Sequence, residues 1–229
     1  MGDKGLVIDE NAHMFPIMGY LRDWELRSYR DAEHSSMSDR GKKEFGAIFA
    51  GDGEPIVGFF GTKDHVSFPS RYLEVPDAIF THFHPDKYFG GTLSMTDLQT
   101  FAKSKWGELR ATSAQGQVYS IKAGPNADKA ALLRWTNKTQ KLLNKNFSNS
   151  YHAKLKEATT VLKSGKNKGK VKLTQRTTKG TKITYVNPMT PAQAARYARQ
   201  YSVGLYERTY QKELKKFGFI YSRSKAKGA

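Results

Sequence analysis

The chain has 229 residues, enough for one large domain or two small ones, with 38% hydrophobic residues and a formal net charge of +17. No apolar run comes near the roughly 18 residues of a membrane-spanning helix, and the opening MGDKGLVIDE lacks the apolar core of a secretory signal. Cysteine is absent, which excludes disulfides and thiolate ligands and leaves His, Asp and Glu to hold any metal.

In chain order, Tyr20–Arg30 (YLRDWELRSYR) predicts a helix and Ser35–Gly41 a loop. Glu44–Ala50 (EFGAIFA) and Pro55–Phe60 (PIVGFF) predict a β-hairpin around Gly51-Asp52-Gly53, closed by Gly61-Thr62. Asp77–His84 (DAIFTHFH) predicts a buried strand. Ser94–Trp106 is helical by pattern, with Leu98, Phe101 and Ala102 on one face. Glu108–Thr112 and Gln117–Lys122 predict two further strands about a turn at Gln115-Gly116. The order β-β-β-α-β-β is that of a mixed α/β domain.

The charge then changes sign. Residues 1–124 carry 14 Lys and Arg against 17 Asp and Glu, net −3; residues 125–229 carry 24 against 4, net +20. The turn formers Gly124-Pro125-Asn126 therefore mark the expected division into two domains, 1–124 and 125–229. Ala127–Lys163 predicts a basic helix interrupted at Asn146–Ser150, and Ser164–Lys170 (SGKNKGK) a flexible charged linker. Val171–Val186 predicts a hairpin. Thr190-Pro191-Ala192-Gln193 supplies an N-cap, a first-turn proline and a capping box for a helix that runs to Lys216 and stops at Gly218.

The segment THFHPDKYFGGTLSMTD, Thr81 to Asp97, concentrates the chemistry. On a strand, residues i and i+2 share a face, so His82 and His84 present both imidazoles to one ion. Asp97, at a helix start, completes a set of two His and one carboxylate, the ligand count of a catalytic zinc with a position left for water. Ser94 and Asp97 also match a capping box, which by itself explains both as helix starters. His13, His34, His65 and His152 read as surface or hydrogen-bonded histidines.

HxHP, a glycine-containing loop and SxxD, preceded by a glutamate-led strand in KKEFGAIFAGDGEPIVGFFGT, resemble the JAMM motif of the JAB/MPN metalloprotease superfamily, in particular its RadC-type bacterial domains. The resemblance covers roughly residues 36–124. It implies a JAB/MPN-like mixed sheet with flanking helices and Zn2+ as cofactor. It implies His82, His84 and Asp97 as metal ligands, Glu44 as general base and Ser94 as the hydroxyl that supports the oxyanion. Phe83, Asp86 and a loop from Pro85 to Ser94 about two residues longer than usual depart from the family pattern; Phe83 is expected to point away from the histidines, into the core. A metallopeptidase or isopeptidase acting on a peptide or isopeptide substrate is the implied activity.

A JAB-like domain beside basic helices that end in KKFGFIYSR is similar to bacteriophage virion- or head-associated proteins, which implies a bacterial host cytoplasm or a virion as location. Its charge points to DNA, RNA or an acidic protein as partner, with sequence-independent phosphate contacts. Tyr197, Tyr201 and Leu205, spaced by four, read as the packed face of the last helix. The competing readings are a nucleic-acid-binding structural protein that keeps a JAB-like fold and, less economically, a metal-dependent nuclease.

Overall fold

Short β-rich runs broken by glycine pairs set the first half of the fold, and two long lysine-rich helices set the second. The computed structural model describes residues 7–8, 14–15, 19–25, 43–62, 65–85, 92–113, 116–177 and 180–225. In chain order they form β1 (Val7–Ile8), β2 (Met14–Phe15), a helical turn at 21–25, β3 (Phe45–Phe49), β4 (Pro55–Phe60) and β5 (Ser67–Phe68). A 3-10 helix (Ser70–Glu74), β6 (Ile79–His84), α1 (Met95–Lys103), β7 (Glu108–Ser113), β8 (Gln117–Ala123) and α2 (Lys129–Thr159) follow. The chain ends with β9 (Val171–Thr177), β10 (Gly180–Val186), α3 (Pro191–Lys216) and β11 (Phe219–Lys225). The protein is thus mixed α/β.

Two compact units divide the chain: Met1–Gln140 with Arg208–Ala229, and Lys141–Glu207. In the first, β1 pairs with β5 in parallel as a two-stranded sheet, and seven other described strands form one mixed sheet in the order β11-β8-β7-β6-β3-β4-β2. Within the seven-stranded sheet β6 and β7 are parallel, and every other neighbouring pair is antiparallel. A parallel pair needs a crossover connection, and α1 is that crossover. It sets the first turn of α1 beyond the carboxyl end of β6, where open α/β sheets build their sites.

Alternation gives β6 two different faces. Ile79 packs with Ala47, Phe49, Leu21 and Trp24. Phe83 is fully buried and stacks on Phe45 at 5.0 Å, so it points away from the histidines as expected. On the opposite face Phe80 lies 4.8 Å from Trp106 and 5.2 Å from Phe68, and Phe68 lies 5.6 Å from Phe59. Trp106 is buried whole because its indole N–H donates to the Tyr72 carbonyl at 2.7 Å.

In the second unit, Val171 and Leu173 of β9 pack with Ala158 and Ala194, edged by Leu155, Val186, Met189 and Tyr197. The hairpin β9–β10 pairs Val171 with Val186 through to Thr177 with Gly180, as the alternation predicts. The capping box at Thr190 forms: its N–H donates to Gln193 Oε1 at 2.9 Å, and the Gln193 N–H donates to Thr190 Oγ1 at 3.3 Å.

Two expectations are corrected, and one strand is added. α2 runs unbroken through Asn146–Ser150, because Phe147 packs on Tyr206 and the Tyr206 hydroxyl donates to Asn144 at 2.8 Å; tertiary contact outweighs the weak helix propensity of Asn and Ser. Ser164–Lys170 is a hydrogen-bonded turn and not a flexible linker. Gly169 N–H donates to Leu162 O, Leu162 N–H donates to Lys170 O, and Val161 bridges Val171. Glycines 165 and 169 supply the positive φ this turn requires. The last strand was not expected: after Gly218, at φ 78°, the chain returns as β11 along the whole length of β8. Residues 208–229 thereby join the sheet-bearing unit, although the charge division falls after Gly124. The expected loop at Ser35–Gly41, residues 26–30 of the helix expected at Tyr20–Arg30, and His13, His34 and Asp86 lie outside the described residues.

Candidate metal centre

The site grows from one strand face and one helix turn. Phe80, His82 and His84 are i, i+2 and i+4 of β6 and form a ladder: the His82 ring lies parallel to Phe80 at 5.5 Å (9° between planes) and 4.6 Å from His84. Nε2 of His82 and Nε2 of His84 are 2.8 Å apart. Asp97 enters from the first turn of α1, its Oδ2 3.4 Å from His82 Nε2 and 4.0 Å from His84 Nε2. Among the described residues this is the one group of three potential ligands whose atoms all lie within 4.8 Å of one another. His82 and Asp97 are buried and His84 is half-buried, so the cluster has one accessible side. These three side chains can hold a metal ion.

The capping box at Ser94 aims the aspartate. Ser94 N–H donates to Asp97 Oδ2 at 2.7 Å, and Asp97 N–H donates to Ser94 Oγ at 3.1 Å. The bland and the functional readings of SxxD therefore coincide, since the box that starts the helix also fixes the carboxylate oxygen facing both imidazoles. Capping uses Ser94 Oγ only as an acceptor, which leaves its hydroxyl proton to donate elsewhere.

Glu44 immediately precedes β3. Phe45 pairs with Phe83 and Gly46 with His82, so the same antiparallel register sets Glu44 opposite His84, on the histidine face. Its backbone is clamped by β4's exit: Glu44 N–H donates to Thr62 O at 2.6 Å and Gly61 N–H to Glu44 O at 2.9 Å. A side chain at Gly61 would collide with the carbonyls of His65 and Glu44. Glu44 stands outside the three-ligand cluster, yet its charge reaches His82.

Electrostatics couple the group. Burial alone would lower the His82 pKa, but Asp97, then Glu44, then the backbone of Arg110 oppose it, and the net shift is upward. Burial alone would raise Asp97; the His82 and His84 imidazoles and the Ser94 N–H overcome it and hold the carboxyl at about 2. His82 Nδ1 is buried without a well-formed hydrogen bond, with the Arg110 backbone beside it.

Two supports escaped sequence reasoning. A Cβ on Gly46 would come within 2.8 Å of the Phe80 ring, so glycine opposite His82 lets Phe80 sit flat against the imidazole. A glycine inside an otherwise apolar strand is the signal that marks such a close approach. Behind the site, on the other sheet face, Arg110 pairs with Glu108 at 2.7 Å and Glu25 at 3.3 Å, and Thr81 donates to Glu25 at 3.2 Å. Burial raises the Glu25 pKa despite Arg110. A cavity of about 350 Å³ lined by Tyr20, Leu21, Ile79 and Arg110 opens there, and none of the site residues lines it. Of the remaining described histidines, His65 Nδ1 lies 2.7 Å from Thr62 Oγ1 and His152 meets Tyr151 edge to face, as local roles predict.

No protein-family model, curated protein or solved structure matches the chain. The reading of the site therefore rests on its own geometry and on the resemblance of its motif. Among the described residues, no helix is long and apolar enough to cross a membrane.

Proposed function

We propose that the chain is a zinc-dependent hydrolase of amide bonds, a peptidase or isopeptidase of the JAMM type. The observation that carries this reading is the meeting of His82 Nε2, His84 Nε2 and Asp97 Oδ2 at one half-open point, with Glu44 on the same face. Zinc fits these donors. Tetrahedral bonds of about 2.0–2.1 Å need donor atoms roughly 3.3 Å apart, and the observed separations of 2.8, 3.4 and 4.0 Å bracket that value. When bound, the metal supplies acidity to a water and polarises a carbonyl.

The residues divide the remaining work. Glu44, charged and outside the ligand set, takes the proton of the attacking water and passes it to the leaving amine. The Ser94 hydroxyl, held in place by the Asp97 N–H, donates to the oxygen on which negative charge develops. The Phe80 ring and the apolar wall behind it exclude water from one side of His82 and hold its imidazole in register.

The test is metal content followed by turnover. Purified protein should carry one zinc per chain, and the zinc-loaded protein should cleave members of a panel of peptide and isopeptide conjugates. Glu44→Gln should keep the zinc and lose cleavage. Loss of zinc from Glu44→Gln would make Glu44 a ligand. A zinc-loaded wild-type protein that cleaves none of the panel would turn the reading toward a binding protein that retains the site for structure.

A further inference from the structure

The second unit, Lys141–Glu207, holds 14 Lys and Arg against 2 Asp and Glu, net +12. No acidic residue occurs between Glu157 and Glu207. Glu157 is itself spent inside the unit. Its Oε2 pairs with Lys154 at 2.6 Å, and its Oε1 accepts from the Thr174 N–H, which pins β9 to α2. Lys163, Lys166, Lys168, Lys170, Lys172 and Lys182 are all exposed, and none has an ion-pair partner among the described residues. Five of these six fall on the turn 164–170 or within two residues of it, and the turn's backbone hydrogen bonds hold them in a defined array.

The hairpin beside them is built unlike a core element. Val171 and Leu173 anchor its base, whereas every residue of β10 from Gly180 to Tyr185 is exposed. Register puts Lys172 across from Tyr185 and Thr174 across from Ile183 on one face. Ile183 and Tyr185 are 47% and 42% exposed, so this face presents an aliphatic and an aromatic side chain to solvent. The other described tyrosines of the unit are engaged in packing: Tyr201 lies under Lys154, Tyr206 against Phe147, Tyr151 beside Arg199, and Tyr197 in the hairpin's core. Tyr185 is the exposed one.

We infer that the β9–β10 ribbon and the 164–170 turn form the surface by which this chain holds duplex nucleic acid. A two-stranded ribbon is of the size that the major groove of a duplex admits. The lysine array suits a double line of phosphates, and Tyr185 with Ile183 supplies apolar contact inside the groove. Phosphates carry the affinity, because the cations gathered at the turn and the ribbon's base are lysines, which meet phosphate oxygens as point charges. This inference is independent of the zinc reading, since it uses none of that site's residues.

The experiment uses the full chain and a short mixed-sequence DNA duplex, with anisotropy followed between about 50 and 200 mM salt. Two triple variants remove equal charge from exposed positions: Lys166→Gln/Lys168→Gln/Lys170→Gln at the turn, and Lys138→Gln/Lys141→Gln/Lys145→Gln on α2. The turn variant should flatten the slope of log K against log salt by about 2.7, three contacts at about 0.9 each, and the helix variant should leave it near wild type. Tyr185→Ser should weaken binding several-fold at unchanged slope. Polyglutamate at equal charge should not displace the duplex. Equal losses from both triples would reduce the surface to diffuse charge, displacement by polyglutamate would make it a site for acidic protein, and absence of duplex binding at low salt would end the proposal.

Discussion

The two units use charge in opposite ways. In the sheet-bearing unit, net +5 by sequence, the informative ionisable groups are buried and face one another: His82 against Asp97, and Arg110 against Glu25 and Glu108. In Lys141–Glu207 most of the described lysines stand in solvent, and no acidic residue occurs over 49 residues of sequence, 158–206. Buried groups interact strongly over a few ångströms and are screened little by salt, whereas exposed ones act over a Debye length of about 10 Å at 0.1 M and are screened readily. The first arrangement tunes a site; the second gathers a polyanion. Perturbations that separate short-range from long-range electrostatics should separate the two units.

The largest separation should come from salt. Raising it from about 50 to 200 mM should lower duplex affinity by about 10³-fold or more if six or more phosphates are engaged. Zinc stoichiometry, measured in the same samples by metal analysis, should not change. A salt-sensitive zinc content would mean that the cluster is more exposed than His82 and Asp97 are.

Next is Glu44→Gln, which removes a base and nothing from the ligand set. Turnover should fall by about 10²–10⁴-fold while zinc content and duplex affinity stay at wild-type values. A parallel fall in duplex affinity would show that the two functions are coupled through the fold.

Acid should act on the first unit through its buried cluster. With metal removed by chelator, the Asp97 carboxyl at about 2, against 3.8 for the free group, adds stability above the free value, and this is lost as pH falls from 3.8 through about 2. His82, shifted upward, adds stability below its free value of 6.5, and this is lost as pH rises through its folded pKa. Denaturant melts should show the Asp97 contribution, on the order of 2 kcal/mol at neutral pH, and Asp97→Asn should flatten the curve between pH 2 and 4. An unchanged curve would show that the ion pair is not formed in solution.

The smallest effects test the supports. Gly46→Ala should force the Phe80 ring off His82, costing about 1–3 kcal/mol and loosening zinc. Ser94→Ala should cost about 1 kcal/mol as a lost N-cap and should also lower turnover with zinc retained. A stability loss with unchanged turnover would leave Ser94 a helix cap alone.

Local patterns were enough for much of this protein. Strand alternation in DAIFTHFH set His82 and His84 on one face and Phe83 on the other, and SxxD announced a capping box, because both depend on residues within four positions of one another. The Val171–Val186 hairpin and the helix stop near Gly218 were legible for the same reason. What lay beyond the sequence depended on partners distant in the chain. α2 persists through NFSNS because Tyr206 meets Phe147 and Asn144. SGKNKGK is ordered because it closes between Leu162 and Val171. β11 is a strand because β8 offers it an edge, and Gly46 matters because Phe80 reaches it from the neighbouring strand. Periodicity fixes which face a residue takes; only packing decides what that face meets.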